Sequence, residues 1–138
     1  MKLSVLIFLL FFSELITAQD AGKKSPEKIT CSDDSSQKYS LWLPLNYQSE
    51  KKYPIIIFLN PAARGDFPVK KYCSIAEKYG VIIAGSFNSR NFDGSSSIKA
   101  FTAIYNDLLQ HYSVDTQMVW VAGFSGGSRA AAAIAMTY

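Results

Sequence analysis

A serine flanked by glycines is the feature of this sequence best suited to chemistry. Ser125 follows Gly123 by two residues and precedes Gly127 by two, within the stretch VAGFSGGSRA. A serine held at a sharp turn can attack a carbonyl carbon, because the turn lifts its hydroxyl clear of the backbone. Side chains at the two flanking positions would collide across such a turn, so glycine is needed there. We therefore predict that Ser125 is a nucleophile and that Gly123 and Gly127 permit its turn.

Attack by a serine on an ester also needs two N–H donors directed at the oxygen that becomes negative. The first would be the amide of Gly126, at the start of a helix, where negative charge is favoured. The second would come from the loop NPAARG at residues 60–65. Pro61 has no N–H, so Ala62 is the best candidate for this donor and Ala63 the next.

Both features also have a purely structural interpretation. Serine is a common N-cap of helices, and proline often stiffens a turn that has no catalytic part. The N-cap alternative explains Ser125 but leaves the glycine on each side of it unexplained, so the nucleophile is the favoured interpretation.

Three apolar runs supply strands that could position these groups. Residues 118–125 read MVWVAGFS and end at the serine. Residues 53–60 and 81–88 are rich in β-branched side chains and are apolar without alternation. A continuous apolar run predicts a strand that is buried on both faces of a parallel sheet.

Helical patterns separate and follow these strands. We predict helices over residues 68–80, which run from a proline to a glycine, and over 97–112, where apolar residues recur at helical spacing. Residues 126–138 are rich in alanine and predict a third helix. Two short extended runs at 27–32 and 39–47 predict an antiparallel hairpin at the start. This order predicts an α/β fold with a hairpin, then a mostly parallel sheet with helices on both faces.

The span at residues 98–128, IKAFTAIYNDLLQHYSVDTQMVWVAGFSGGS, resembles the α/β-hydrolase fold. Within that fold it is similar to secreted esterases of the polyhydroxybutyrate-depolymerase and feruloyl-esterase type. Those proteins carry a helix, a tyrosine–small–Val-Asp turn and a strand ending in G-F-S-x-G, and the resemblance runs from about residue 53 to residue 138. It implies a serine esterase that needs no metal and no organic cofactor. Asn60 and Pro61 stand where the family has a His-Gly pair.

The resemblance also implies an Asp or Glu and then a His after the serine, and these are missing. None of the 13 residues after Ser125 is acidic or histidine. His111 is the one histidine of the sequence and precedes Ser125; at the end of a helix it suits a structural role. Asp107 and Asp115 also precede it, and Asp115 suits the turn into the strand. We expect residues 27–138 to be the N-terminal half of a hydrolase domain, inactive by itself.

Two arginines follow the carboxyl ends of predicted buried strands, where ligands bind in open α/β sheets. Arg64 lies in the first loop and Arg90 in the second. Arg90 could contact a substrate carboxylate, but hydrogen bonding to a loop carbonyl is the favoured interpretation.

The first residues predict export. Lys2 precedes an apolar run at residues 3–12, and the small residues Thr17 and Ala18 follow. This pattern is typical of a signal peptide over residues 1–18, with a flexible lead-in at 19–26, and so of a secreted or periplasmic protein. The apolar run is too short to span a bilayer, and an uncleaved amphipathic anchor is the alternative.

Charge and cysteine content exclude several classes. The net charge is +3 and the basic residues are scattered as pairs, which favours a solvated surface over a nucleic-acid site. Two cysteines and one histidine cannot form an ordinary zinc site. One disulfide between Cys31 and Cys73 is possible, but Cys73 shares a predicted apolar helix face with Val69 and Ala76, which favours a buried free thiol.

Three functions remain open. The first is ester hydrolysis through an acyl-enzyme on Ser125, with a small-molecule or polymer ester as substrate. A peptidase or an acyltransferase on the same fold is the second. The third is a non-catalytic α/β binding module or an inactive fragment.

Overall fold

The computed structural model describes residues 28–137. The predicted signal peptide and lead-in, residues 1–18 and 19–26, lie outside these described residues. The elements in chain order are β1 Ile29–Thr30, β2 Lys38–Trp42, β3 Tyr53–Leu59, α1 Asp66–Tyr79, β4 Ile82–Ser86, α2 Gly94–His111, β5 Val114–Gly123 and α3 Gly126–Ala135.

The strands form one mixed sheet in the order β1-β2-β4-β3-β5. β1 pairs with β2 in antiparallel register, and β2 pairs with β4 in the same way. β4 and β5 lie parallel to β3, one on each side of it. The predicted hairpin and mostly parallel sheet are therefore both confirmed. The carboxyl ends of β3, β4 and β5 meet at one end of the sheet, and the loops that follow them meet there too.

The main core lies between the sheet and the helices α2 and α3. Alternate residues of β3 are fully buried in it, namely Ile55, Ile57 and Leu59. α2 contributes Phe101, Ile104 and Leu108, and α3 contributes Ala131 and Ile134. α1 lies against β2 and β4.

The prediction that β3 is buried on both faces is only half right. Its burial alternates, with Ile56 and Phe58 only partly covered. The ring of Phe58 stacks on Tyr72 of α1 at a centroid distance of 5.3 Å. α1 packs mainly against β2 and β4, so it covers β4 fully and β3 only in part.

The prediction for the third strand is wrong in both extent and burial. β5 begins at Val114, four residues before the predicted start, and most of it is half-buried or exposed. It lies at the end of the sheet order, so only β3 pairs with it among the described residues. Asp115 lies within this strand and accepts a hydrogen bond from the Gln117 amide at 2.9 Å.

The helix ends agree with local signals. Gly80 ends α1 in the left-handed conformation, with φ 63°, which glycine adopts at little cost. α2 begins three residues before the predicted start, because the Asp93 side chain accepts from the Ser96 amide and caps the helix there.

The two cysteines are free, but the buried one is not the one predicted. Cys31 is buried, whereas Cys73 is half-exposed and donates to the carbonyl of Lys70. Burial, and next the charge of Asp107, raises the pKa of the Cys31 thiol to about 12. A thiol that stays protonated in this way is unreactive.

Candidate active site

Ser125 lies at the corner between β5 and α3, in a conformation that few residues adopt. Its φ is 52° and its ψ is −120°, and its side chain is exposed. A non-glycine residue held in such a region costs about 1–3 kcal/mol and is found mostly at functional sites. Ser125 occupies the N-cap position of α3 but makes no cap hydrogen bond. Helix capping therefore does not account for a serine here.

The glycines on either side of Ser125 are required by close backbone contacts. A Cβ atom on Gly123 would overlap the carbonyl group of Gly127. A Cβ atom on Gly127 would overlap the carbonyl oxygen of Leu59, at the end of β3. The two glycines thus allow the start of α3 to lie directly against the ends of β5 and β3. This confirms the prediction that side chains at these two positions would collide.

The amide of Gly126 is available at this corner. The next two amides, of Gly127 and Ser128, donate to the carbonyls of Phe124 and Ser125 at 2.9 and 3.0 Å. No acceptor for the Gly126 amide is found within residues 28–137. Its position next to Ser125 suits a donor to an oxyanion, and that role stays a prediction.

In the loop after β3, by contrast, the amides of Ala62 and Ala63 already have hydrogen-bond acceptors. The Ala62 amide donates to the side-chain oxygen Oδ1 of Asn60 at 2.9 Å, and the Ala63 amide donates to the Asn60 carbonyl at 3.0 Å. Ala63 also has a positive φ of 55°. Ala62 is exposed and Asn60 is polar, so a substrate oxygen would have to replace the Asn60 carboxamide on that amide.

The loop after β4 braces the loop after β3. The Asn60 amide donates to Ser89 Oγ at 2.9 Å, and the Ser89 hydroxyl donates to the Asn60 carbonyl at 3.0 Å. The Asn91 amide donates to the carbonyl of Pro61 at 2.9 Å. Ser89 is fully buried. Sequence reasoning missed Ser89, because these partners are 29 residues apart and no local pattern marks them.

The arginines at the mouth have few partners. Arg64 lies over the ring of Phe67 at 5.3 Å. The backbone of Arg90 bridges to Ala62 and Asp93. No hydrogen bond of the Arg90 side chain is found among residues 28–137, so its hydrogen bonding to a loop carbonyl stays a prediction.

His111 takes no part in this site. It lies at the end of α2, where its Nε2 is 2.7 Å from Ser32 Oγ and 3.7 Å from Asp107 Oδ1. In a catalytic triad the serine and the acid meet opposite nitrogens of the ring, whereas here both meet the same nitrogen. The buried Asp107 also accepts from the Ser32 amide at 2.7 Å and from the Tyr39 hydroxyl at 2.6 Å. These contacts join the hairpin to α2 and are structural.

Across residues 28–137, no three acidic, cysteine or histidine side chains come together as ligands for an ion. Over the same residues, no helix combines the length and the apolar character that a membrane span requires.

Comparison with known proteins gives structural matches only. No family model matches the chain, and no curated protein matches it. Its structure is similar to that of a ferulic acid esterase from the anaerobic fungus Anaeromyces mucronatus, with a TM-score of 0.64 and 18% identity over 81% of this chain and 53% of that one. An acetyl xylan esterase from Aspergillus awamori matches with a TM-score of 0.63 and 18% identity, over 81% of this chain and 47% of that one.

A third similar structure is a larger protein. It is a putative dipeptidyl aminopeptidase IV from Bacteroides ovatus, with a TM-score of 0.62 and 22% identity over 84% of this chain and 19% of that one. Esterases are prominent among the similar structures, and the chain spans about half the length of the first ones. The resemblance to feruloyl-type esterases and the α/β-hydrolase fold class are therefore confirmed.

Proposed function

We propose that this protein is a serine hydrolase of carboxylic esters, with Ser125 as its nucleophile. The observation that carries the proposal is the strained, exposed Ser125 at the strand–helix corner, which makes no cap hydrogen bond and adjoins the Gly126 amide, for which no acceptor is found within residues 28–137. The fold, which esterases share, supports the same reaction. The substrate class is an ester, in line with the ferulic acid and acetyl xylan esterases to which the chain is similar.

The reaction follows from this arrangement. The Ser125 oxygen attacks the ester carbonyl carbon, and the developing oxyanion accepts from the amides of Gly126 and Ala62. The alcohol leaves with the proton of the serine, which a general base has carried, and water then releases the acid from the acyl-enzyme. For Ala62 to take part, the side chain of Asn60 must turn away from its amide.

The described residues bring no histidine to Ser125. A serine hydroxyl is a weak nucleophile without a base, and the one histidine is engaged with Ser32 and Asp107 at the end of α2. We propose that an acid and a histidine from elsewhere complete the site and that the 138 residues alone are inactive.

Covalent labelling tests the nucleophile. The native protein, complete with its base, is treated with a fluorophosphonate, and the modified peptide is identified by mass spectrometry. The adduct is expected on Ser125, and Ser125→Ala should abolish labelling and lower kcat/KM for 4-nitrophenyl acetate by about 10⁴-fold or more. Ser74→Ala, at an exposed serine of α1, is the matched control and should label like the parent. Full activity in Ser125→Ala would show that the assignment is wrong.

Peptide hydrolysis is the second candidate. The similarity to the putative dipeptidyl aminopeptidase favours it, since the same serine corner can attack an amide. Comparison of a 4-nitroanilide with a 4-nitrophenyl ester of the same acyl group separates the two reactions. Faster turnover of the anilide would favour the peptidase.

Export belongs to the same proposal. It is based on the signal-peptide pattern of residues 1–18. N-terminal sequencing of the mature protein is expected to begin at Gln19, and retention of Met1 would contradict cleavage.

A further inference from the structure

A cavity of about 250 Å³ lies where the N-terminal ends of α2 and α3 converge. We call it the Arg90–Arg129 cavity; Arg90, Phe92, Asp93, Ser97, Gly126 and Arg129 line it. Because Gly126 directly follows Ser125, the cavity adjoins the proposed reaction site.

The charged groups of the cavity favour an anion. Among residues 28–137 no hydrogen bond or ion pair of the Arg90 side chain is found, although its charge acts on Asp93, and the hydrogen bond of the Arg129 side chain to Asn91 Oδ1 is long, at 3.4 Å. Asp93 is the acidic group of the lining, and its Oδ1 accepts from the Ser96 amide and the Ser95 hydroxyl, at 2.9 Å each. Those bonds, and to a lesser extent Arg90, hold the pKa of Asp93 below its usual value. Two guanidinium groups thus face one carboxylate that already has partners.

A buried hydroxyl without a partner marks the same cavity. Ser97 is 1% exposed, and within the described residues its Oγ has no hydrogen-bond partner. Leaving a buried hydroxyl unpaired is unfavourable, and native structures seldom do so without a reason. Ser97 lines the cavity, so a small shift of the lining would let a bound acceptor reach this hydroxyl; this observation is independent of the arginines.

An aromatic ring forms the outer wall. Phe92 is 91% exposed and has a positive φ of 61°, which is an unusual conformation for a bulky residue. Arg129 lies over its ring at 5.8 Å. The guanidinium can pair with a carboxylate, and the ring can pack against an aryl group that carries it.

We propose that the Arg90–Arg129 cavity binds a carboxylate carried by the substrate, so that the protein prefers esters bearing a second, free carboxyl group. This inference rests on the proposed esterase function for its reaction. The carboxylate would accept from Ser97 and pair with the two arginines, while the ester group lies at Ser125. Binding to the cavity itself does not require catalysis.

Binding is tested on the full chain with benzoate as the probe and benzamide as its uncharged control. Benzoate should shift the amide NMR signals of Gly94, Ser97 and Gly126, and benzamide should not. Arg90→Gln and Arg129→Gln should each weaken benzoate binding about tenfold, and Ser97→Ala about fivefold. Lys51→Gln removes the same charge at an exposed site outside the cavity and should leave the affinity unchanged. Equal binding of benzoate and benzamide would overturn the inference.

Turnover in the native enzyme separates a substrate carboxylate from an unrelated anion. The kcat/KM for 4-nitrophenyl succinate should exceed that for 4-nitrophenyl butyrate about tenfold, and Arg90→Gln should remove the preference. Hydrolysis of both esters without a preference would overturn this inference and leave the esterase proposal intact. A different outcome is that the protein hydrolyses neither ester but binds benzoate selectively, and that Ser125→Ala retains this binding. That outcome would refute the esterase proposal and, with it, the proposed preference among esters.

Discussion

The two edges of the sheet are held in different ways. At the hairpin edge, the buried carboxylate of Asp107 accepts from the Ser32 amide and the Tyr39 hydroxyl, so polar groups fix the register of β1 and β2 against α2. At the other edge, β5 pairs with β3 on one side and leaves Met118 and Trp120 42% and 46% exposed. A groove of about 360 Å³ beside it is lined mostly by apolar residues of β5, α2 and α3, together with Thr116 and Gln117.

The difference lies in how strictly each edge determines what can pack against it. Directional hydrogen bonds at the hairpin edge can be satisfied in one arrangement. The β5 edge presents backbone and apolar side chains, which accept any strand of suitable geometry. The candidate active site belongs to the second edge, since Ser125 lies two residues after the end of β5.

The largest loss of stability is expected from a substitution where β5 and α3 approach β3. Gly127→Ala places a Cβ against the carbonyl oxygen of Leu59 and should lower the free energy of unfolding by about 3 kcal/mol. Urea denaturation followed by circular dichroism measures it. Gly94→Ala is the matched control, because a Cβ there meets no atom within 4 Å, and should change stability by less than about 1 kcal/mol. Equal losses in both variants would contradict the close contact.

The next largest loss of stability is expected from a substitution that removes the hydrogen bonds of the hairpin edge. Asp107→Ala leaves the Tyr39 hydroxyl and the Ser32 amide without their acceptor and should cost about 2–3 kcal/mol in the same assay. Asn106→Ala, at the exposed neighbouring position of α2, should cost less than about 0.5 kcal/mol. If the two variants are alike, Asp107 does not anchor the hairpin.

A further effect at the hairpin edge depends on pH and is absent at neutral pH. The pKa of the Cys31 thiol is raised from 9.0 to about 12, so the folded state holds this proton more tightly than the unfolded state. The resulting stability is complete below pH 9 and is lost as the pH rises toward 12. The slope should be up to about 1.4 kcal/mol per pH unit for this group. The Tyr112 hydroxyl, whose pKa burial raises to about 12, adds to the loss above pH 10.

Urea midpoints between pH 8 and pH 11 measure this slope. Cys31→Ala should reduce it, whereas Cys73→Ala keeps the buried thiol and should retain it. An unchanged slope in Cys31→Ala would show that the tyrosines alone account for the loss.

The smallest change in stability is expected at the exposed edge. Met118→Lys should alter the free energy of unfolding by less than about 0.5 kcal/mol while lowering self-association, because a charge on an edge strand opposes pairing with another chain. Light scattering against concentration measures this. Leu45→Lys makes a similar exchange at an exposed residue outside the sheet and should leave self-association unchanged. Equal reductions would mean that net charge, not the edge, is responsible.

Features that depend on residues close together in the sequence were predictable. Gly80 at the end of α1 and the glycines around Ser125 were predictable, because backbone conformation and close contact restrict those positions to one residue type. The β-hairpin was also predictable from two extended runs and a polar turn.

Features fixed by distant partners were not predictable. The extension of β5 back to Val114 depends on its pairing with Tyr53, and the bracing of Asn60 depends on Ser89. The acid and the histidine that would act with Ser125 were anticipated only as residue types. The hydroxyl of Ser97, which has no partner among the described residues, had no signal in the sequence. The burial of Cys31 in place of Cys73 follows from the packing of the hairpin on α2.

The Asp107 contacts also bear on the order in which the chain assembles. Ser32 and Asp107 are separated by 75 residues, and Tyr39 and Asp107 by 68. Joining such distant residues is entropically costly until the intervening chain is compact. The parallel strands β3 and β4, linked only through α1, require a far shorter loop. We therefore expect β3 and β4 to pair before the hairpin docks on α2, although the hairpin comes first in the chain.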